Sequence, residues 1–354
     1  MRFVHDNLPQ RVCFGSGEAA ANLRRQIERL GASAVMVIAA KPEALLADEV
    51  TAGLPVALRH DDVVMHVPAE VAERARAAAA AAGADALVSV GGGSTTGLAK
   101  AIALTSGLPI AAVPTTYAGS EATAVWGLTE GARKTTGIDP VVLPKVIVYD
   151  ATLTMTLPVP MSVASGLNAL AHCVDSMWAP NADPINAAFA AEGIRALAAG
   201  LPKVVADPLD LDGREQALYA AYLSATAFAS AGSGLHHKIC HVLGGAYNLP
   251  HAQTHATVLP YVLAFTAPAA PEAESRIAAA LRTGTAIDGL QALRQELDAP
   301  RALRDYGFAE DAIPEAADAI LPAVPPSNPR PVTAGDLRAL LRAAWSGADP
   351  AEGF

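Results

Sequence analysis

Six of the nine histidines fall between positions 172 and 255: His172, His236, His237, His241, His251 and His255. Imidazole is the side chain that both binds metals and moves protons near neutral pH, so this concentration is the strongest chemical signal in the chain. Asn168 and His172 are four apart in a helical window, and so are His237 and His241, so each pair projects from one helix face. Gly244-Gly245 and Asn248-Leu249-Pro250 are predicted to turn the chain and deliver His251. His172, His237 and His251 would suit a three-nitrogen metal site with an open fourth position. Where an Asp would complete that set stands Asn168, whose neutral amide oxygen is a far poorer ligand for a divalent cation. Any one of these histidines also reads as an ordinary core or helix-surface residue; it is the six together that point to a site.

A second constellation lies earlier. A predicted strand, Ala86–Val90, runs into Gly91-Gly92-Gly93-Ser94, and helical character follows from Thr95 to Leu104 with Lys100 inside it. Glycines let the backbone approach a pyrophosphate, and the free N–H groups at a helix start add donors and the positive dipole end. The spacing is not Gly-x-Gly-x-x-Gly, and four residues suit a tight ligand-free turn equally well. The segment Pro114–Glu121 also follows a strand. Its Thr115, Thr116, Gly119 and Ser120 suit ribose and phosphate oxygens, although Ser120 also reads as a helix N-cap. Strand Val35–Ala39 ends in Ala40-Lys41 with no acidic residue to hold both ribose hydroxyls. Lys41 is therefore a candidate partner for a 2′-phosphate, and use of both NADH and NADPH is expected.

These loops need elements to hold them. At 354 residues the chain exceeds a single typical domain, and its patterning changes near position 150. Before it, the short apolar runs Val35–Ala39, Val63–Val67, Ala86–Val90, Ile110–Val113 and Val146–Tyr149 alternate with alanine-rich helical stretches, which predicts a mainly parallel, Rossmann-like sheet. After it, long helical windows are punctuated by proline and glycine, and Thr333–Asp336 has the form of a capping box. The expectation is an α/β dinucleotide-binding domain over 1–156 and an all-helical catalytic domain over 157–354.

Composition narrows the classes. Apolar residues make up 52% and charged residues 17%, which argues for a compact folded protein. A net charge of −10 without a basic stripe speaks against nucleic acid and anionic membranes as partners. Cys13, Cys173 and Cys240 are odd in number and far apart, so no disulfide framework is expected and the reducing cytoplasm fits. No apolar signal core or membrane-spanning run is read at the N-terminus or in the Ala78–Ala82 tract.

With both constellations in place, the order of motifs resembles the iron-containing alcohol dehydrogenase and dehydroquinate synthase-like superfamily over nearly the whole chain. The resemblance is carried by Gly91–Ser94, Pro114–Glu121, Ser165–His172, Gly234–His251 and Asn328–Pro331. It implies that the positions matching the superfamily's Asp and three His metal ligands are Asn168, His172, His237 and His251. Asn168 departs from that pattern, as does Gly97, where many relatives carry an acidic residue. The strings Pro114–Glu121, Arg133–Gly137 and Leu235–Lys238 are similar instead to the maleylacetate reductase family. That likeness implies NADH- or NADPH-dependent reduction of a dicarboxylate enone, generally without a metal, in a homodimer.

Such a reaction delivers hydride to the carbon β to a ketone, stabilises the enolate oxygen and protonates the α carbon. His172, His237, His241 and His251 are the catalytic candidates, since a charge-assisted hydrogen bond strengthens as negative charge builds. Arg133, Lys134 and Lys238, with Tyr117 and Asn168, are the candidates for substrate binding, although Arg133 and Lys134 also suit a solvated hairpin tip. No metal is expected. Two other readings stand beside this one: a zinc- or iron-dependent alcohol or polyol dehydrogenase that tolerates Asn168, and a nucleotide-binding protein whose chemistry has lapsed.

Overall fold

The computed structural model describes residues 2–130 and 133–352; the side chains of Arg133 and Lys134 lie outside what it describes. Two compact units divide the chain, one of Leu8–Leu157 and one of Met1–Asn7 with Pro158–Phe354. Residues before Leu8 join the second unit through His5, whose Nδ1 lies 2.8 Å from an Asp183 carboxylate oxygen and 3.3 Å from the Ser230 hydroxyl.

The first unit is built on strands β1 (Arg11–Phe14), β2 (Val35–Ile38), β3 (Val56–His60), β4 (Ala86–Gly91), β5 (Ile110–Pro114), β6 (Val125–Glu130), β7 (Arg133–Ile138) and β8 (Val146–Tyr149). Six of them form one sheet in the order β1-β8-β5-β4-β2-β3, with every pairing parallel. Strand residues alternate between two cores, as a doubly covered sheet requires. Val35, Val37, Val88 and Val90 pack on α1 (Ala19–Leu30) and α2 (Ala44–Val50), whereas Met36, Ile38 and Leu87 pack on α3 (Ala69–Ala81) and α4 (Gly93–Ser106).

Two expectations for this unit need correction. The apolar run Val63–Val67 is no strand: His66 and Val67 have φ of 65° and 48°, a left-handed backbone that cannot enter a ladder. The edge position belongs to β3, whose alternately half-buried and exposed residues VALRH lack a continuous apolar signal. The antiparallel ribbon β6–β7 also escaped the apolar pattern, because its strands carry Thr, Gly and charged residues.

The second unit is helical: α5 (Val159–Ser176), α6 (Pro184–Ala206), α7 (Leu211–Ala231), α8 (Leu235–Tyr247), α9 (His251–Thr266), α10 (Pro271–Leu281), α11 (Ala286–Glu296), α12 (Ile313–Ile320) and α13 (Ala334–Ser346). Gly244 and Gly245 lie inside α8 rather than in a turn. The helix ends instead at Asn248, with φ 53°, because a short polar side chain tolerates the left-handed cap. Leu235, Ile239 and Leu243, four apart, bury one face of α8 in a core shared with α9, α12 and α13, which leaves its histidines on other faces. Pro260 inside α9 frees the Ala256 carbonyl, and the buried Arg294 guanidinium donates to it. The capping box of α13 forms as expected, with Thr333 and Asp336 bonded reciprocally.

Candidate active site

The glycine cradle sits where the topology reverses. β2 leads to the edge strand β3 on one side and the chain returns to β4 on the other, so the ends of β2 and β4 flank the switch point where open sheets bind ligands. Gly91 pairs with Pro114 across β4 and β5, which brings the two predicted loops side by side. Gly91 has φ 149°, and a Cβ there would stand 2.6 Å from Thr95 Oγ1. A Cβ on Gly92 would press on Thr116 at 3.0 Å. Gly92 precedes α4 with no side chain capping the first turn, which leaves the N–H groups of the helix start without a side-chain acceptor there. This cradle fits the pyrophosphate of a dinucleotide.

Ser120 is not a helix cap. It opens a single 3-10 turn after Gly119, whose φ is 77°, and its carbonyl accepts from Lys100 Nζ at 2.6 Å. Lys100 is fully buried and also donates to Val125 O at 2.8 Å and Thr123 Oγ1 at 3.1 Å. Burial pushes this amine down to about 7 against the opposing pull of Glu121. Its function is to clamp the Pro114–Glu121 loop from beneath. Thr115 is buried and Tyr117 fully so, and Lys41 is exposed just beyond β2.

In the helical unit, α5, α8 and α9 assemble all six histidines. Asn168 and His172 come from one face of α5, as their spacing predicted, and Asp175 continues that face. His172 and His237 stack with ring centroids 5.0 Å apart, and Phe228 of α7 lies 4.9 Å and 4.3 Å from the two rings. His237 is 6.0 Å from His241 and 4.9 Å from His255, and His255 is 4.4 Å from His251. His241 and His251 are exposed, whereas the other four are buried, so the array is graded from solvent inward. Lys238 is half-buried beside it.

The residue that spacing alone did not single out is Asp175. Its carboxylate is fully buried, accepts from the Gly234 N–H at 2.7 Å and lies 2.7 Å from His237 Nδ1. A Cβ on Gly234 would fall 2.4 Å from that carboxylate, so glycine is required for the approach. The signal was present as an acidic residue three beyond His172 and seven beyond Asn168, on their helix face. With Nδ1–H directed at Asp175, His237 presents Nε2 as its free position. His237 Nε2, His172 Nδ1 and Asn168 Oδ1 are all buried without a hydrogen-bond partner among the described residues. Such atoms in a native interior call for a ligand.

Electrostatics narrow the roles further. Burial pushes His172 down to about 4, opposed by Asp175 and reinforced by His241. Burial likewise holds His237 well below the usual imidazole range, and His172, His241, His251 and Lys238 add to the effect. Both rings are therefore neutral at rest. Burial raises Asp175, while His236 and the N–H donors of Gly234 and His237 lower it.

The four positions matched to metal ligands do not fit an iron or zinc ion well. Asn168 brings no charge, the Asp175 carboxylate is tied to His237, and the His172 and His237 rings stack with an interplanar angle of 15°. Arg133 and Lys134 stand on the backbone at the start of β7.

Comparison with known proteins agrees with this layout. Residues 9–151 match the model for iron-containing alcohol dehydrogenase, and residues 162–345 match that for the Fe-containing alcohol dehydrogenase family, C-terminal. Maleylacetate reductase of Sphingobium indicum is 46% identical, covering 99% of each chain. Among solved structures, an iron-containing alcohol dehydrogenase from Corynebacterium glutamicum is 64% identical with a TM-score of 0.98, over 99% of both chains. Maleylacetate reductase from Agrobacterium tumefaciens is 42% identical with a TM-score of 0.94, over 99% of this chain and 100% of that one.

Proposed function

This chain belongs to the iron-containing alcohol dehydrogenase family, and from that premise we propose that it is an NAD(P)H-dependent maleylacetate reductase, converting 2-maleylacetate to 3-oxoadipate. The observation that carries the reading is the wall of Asn168, His172 and His237: neutral groups with unpartnered atoms, backed through His237 by Asp175. Asn168 adds no negative charge to that wall, and His237 becomes a donor to an anionic substrate once it takes up a proton.

The dinucleotide, held by Gly91, Gly92, Gly93, Ser94, Thr115, Thr116, Gly119 and Ser120, supplies hydride to the carbon β to the ketone. Lys41 tolerates a 2′-phosphate, so NADPH serves as well as NADH. A dianionic substrate against the histidine wall raises the proton affinity of His237, and Asp175 stabilises the imidazolium that results. His237 Nε2–H then donates to the enolate oxygen as its charge develops, where a charge-assisted bond is strongest. Asn168 contributes an amide that can donate where an aspartate would only repel. His241 and His251, open to solvent, exchange protons with water and resupply the α carbon and the inner rings. Lys238 holds one substrate carboxylate.

The setting is the cytosol, consistent with three free cysteines and with the absence, among the described residues, of any helix long and apolar enough to cross a membrane. The working form is a homodimer, which light scattering checks. A second reading, metal-dependent alcohol oxidation, is favoured by the 64% likeness to an iron-containing alcohol dehydrogenase. NADH oxidation with fresh maleylacetate, on EDTA-dialysed protein and on protein supplied with iron or zinc, separates the two. Turnover indifferent to EDTA supports the reductase; activity that appears only with metal, or only on simple aldehydes, replaces it.

A further inference from the structure

Behind the reactive wall lie three groups that the proposed reaction does not use. His236 and Cys240 are four apart on α8, and His255 on α9 faces them. His236 Nε2 is 2.9 Å from His255 Nδ1 and 3.7 Å from Cys240 Sγ, and all three donor atoms lie within 4.8 Å of one another. His236 and His255 are fully buried and Cys240 is 2% exposed. We propose that His236, Cys240 and His255 form a binding site for zinc(II), distinct from the four family ligand positions, that ties α8 to α9.

The donor set is chemically suited to that ion. Two imidazole nitrogens and one thiolate are borderline-to-soft ligands that select zinc over magnesium or calcium. Zinc bonds of about 2.0 Å to nitrogen and about 2.3 Å to sulfur, set tetrahedrally, place donors roughly 3.3–3.6 Å apart. The observed separations bracket that range, so the imidazole pair needs only to open slightly, with the proton between the rings moving to the outer nitrogen of the ring that carries it, so that both stay neutral.

Charge points the same way. Asp175 is buried, accepts from the Gly234 and His236 N–H groups and lies against the His237 imidazole, and its field acts on both His236 and Cys240. One zinc ion, one Cys240 thiolate and the Asp175 carboxylate sum to zero, which makes the assembly tolerable in a dry interior. Without a metal, burial keeps Cys240 a neutral thiol, well above its ordinary range. Binding would release its proton, as zinc does at any thiol ligand.

The test reads the ligands rather than turnover. Cobalt(II) is titrated into metal-free protein and the thiolate-to-cobalt charge-transfer band is followed in the near ultraviolet. One equivalent with the band is expected in the wild type and in His251→Ala, with the band lost in Cys240→Ser of unchanged far-ultraviolet circular dichroism. No band, a band that persists in Cys240→Ser, or one that vanishes in His251→Ala would overturn the assignment. Should Cys240→Ser fail to fold, zinc K-edge absorption on wild-type protein loaded with one equivalent decides: one sulfur neighbour supports the site, and a shell of nitrogen and oxygen alone refutes it.

Discussion

Replacing Asp175 by asparagine tests the proposed acid most directly, because the side chains are nearly isosteric while the charge behind His237 disappears. The carboxylate oxygen is 2.7 Å from His237 Nδ1, and neither group is solvated. With charge centres about 4 Å apart and an effective dielectric constant near 20, the lost attraction is about 4 kcal/mol. At roughly 1.4 kcal/mol per pK unit, the imidazolium becomes about three units harder to form. Gly234 N–H and His237 Nδ1–H meet the same carboxylate oxygen, so an asparagine that keeps its oxygen there retains both bonds and turns its NH₂ group toward His236 N–H, which leaves the lost charge as the main change. The expected result is a fall in kcat of about 10²–10³-fold, the scale of general-acid catalysis. The steady-state assay is NADH oxidation with maleylacetate, alongside NADH binding by fluorescence and thermal melting. Unchanged NADH affinity, and a rate limb displaced to lower pH, are part of the expectation. A variant that folds normally and turns over within threefold of wild type would refute the role given to the Asp175–His237 pair.

His241→Ala should lower turnover sharply with NADH affinity nearly unchanged, since the cradle residues all lie between Gly91 and Ser120; wild-type turnover would remove its role in proton supply. Gly91→Ala should weaken NADH binding and destabilise the fold by about 1–3 kcal/mol, because φ 149° and the Thr95 hydroxyl both oppose a Cβ, and isothermal calorimetry with denaturant melts checks both parts. Acid should destabilise the protein through its buried imidazoles, beginning below pH 6.5. His172 and His236 fall to about 4 and about 3 when folded, so below pH 6.5 the unfolded chain binds more protons and stability is lost as pH drops. Each ring contributes a slope of about 1.4 kcal/mol per pH unit from 6.5 down to its folded value. Urea unfolding at intervals between pH 7 and 4.5 measures it, and a flat profile would mean the rings are solvated.

Much of this was legible in the chain. Helical period alone placed Asn168 with His172 and His237 with His241, because residues four apart share a face wherever the helix is put. Short apolar runs between glycines located four of the six strands of the parallel sheet, and the glycine run marked a backbone that resists a side chain at Gly91 and Gly92. Motif order was enough to suggest the family. Burial and distant pairing were not legible, since both depend on which faces meet. That Asp175 meets His237 across 62 positions, that Lys100 turns inward to clamp a loop, and that His241 and His251 face solvent while His172 and His237 do not, follows from packing α4 and α5 against partners far along the chain. Residue types named the available chemistry; desolvation, which exists only once the helices close together, decided which imidazoles stay neutral and which can reach a proton.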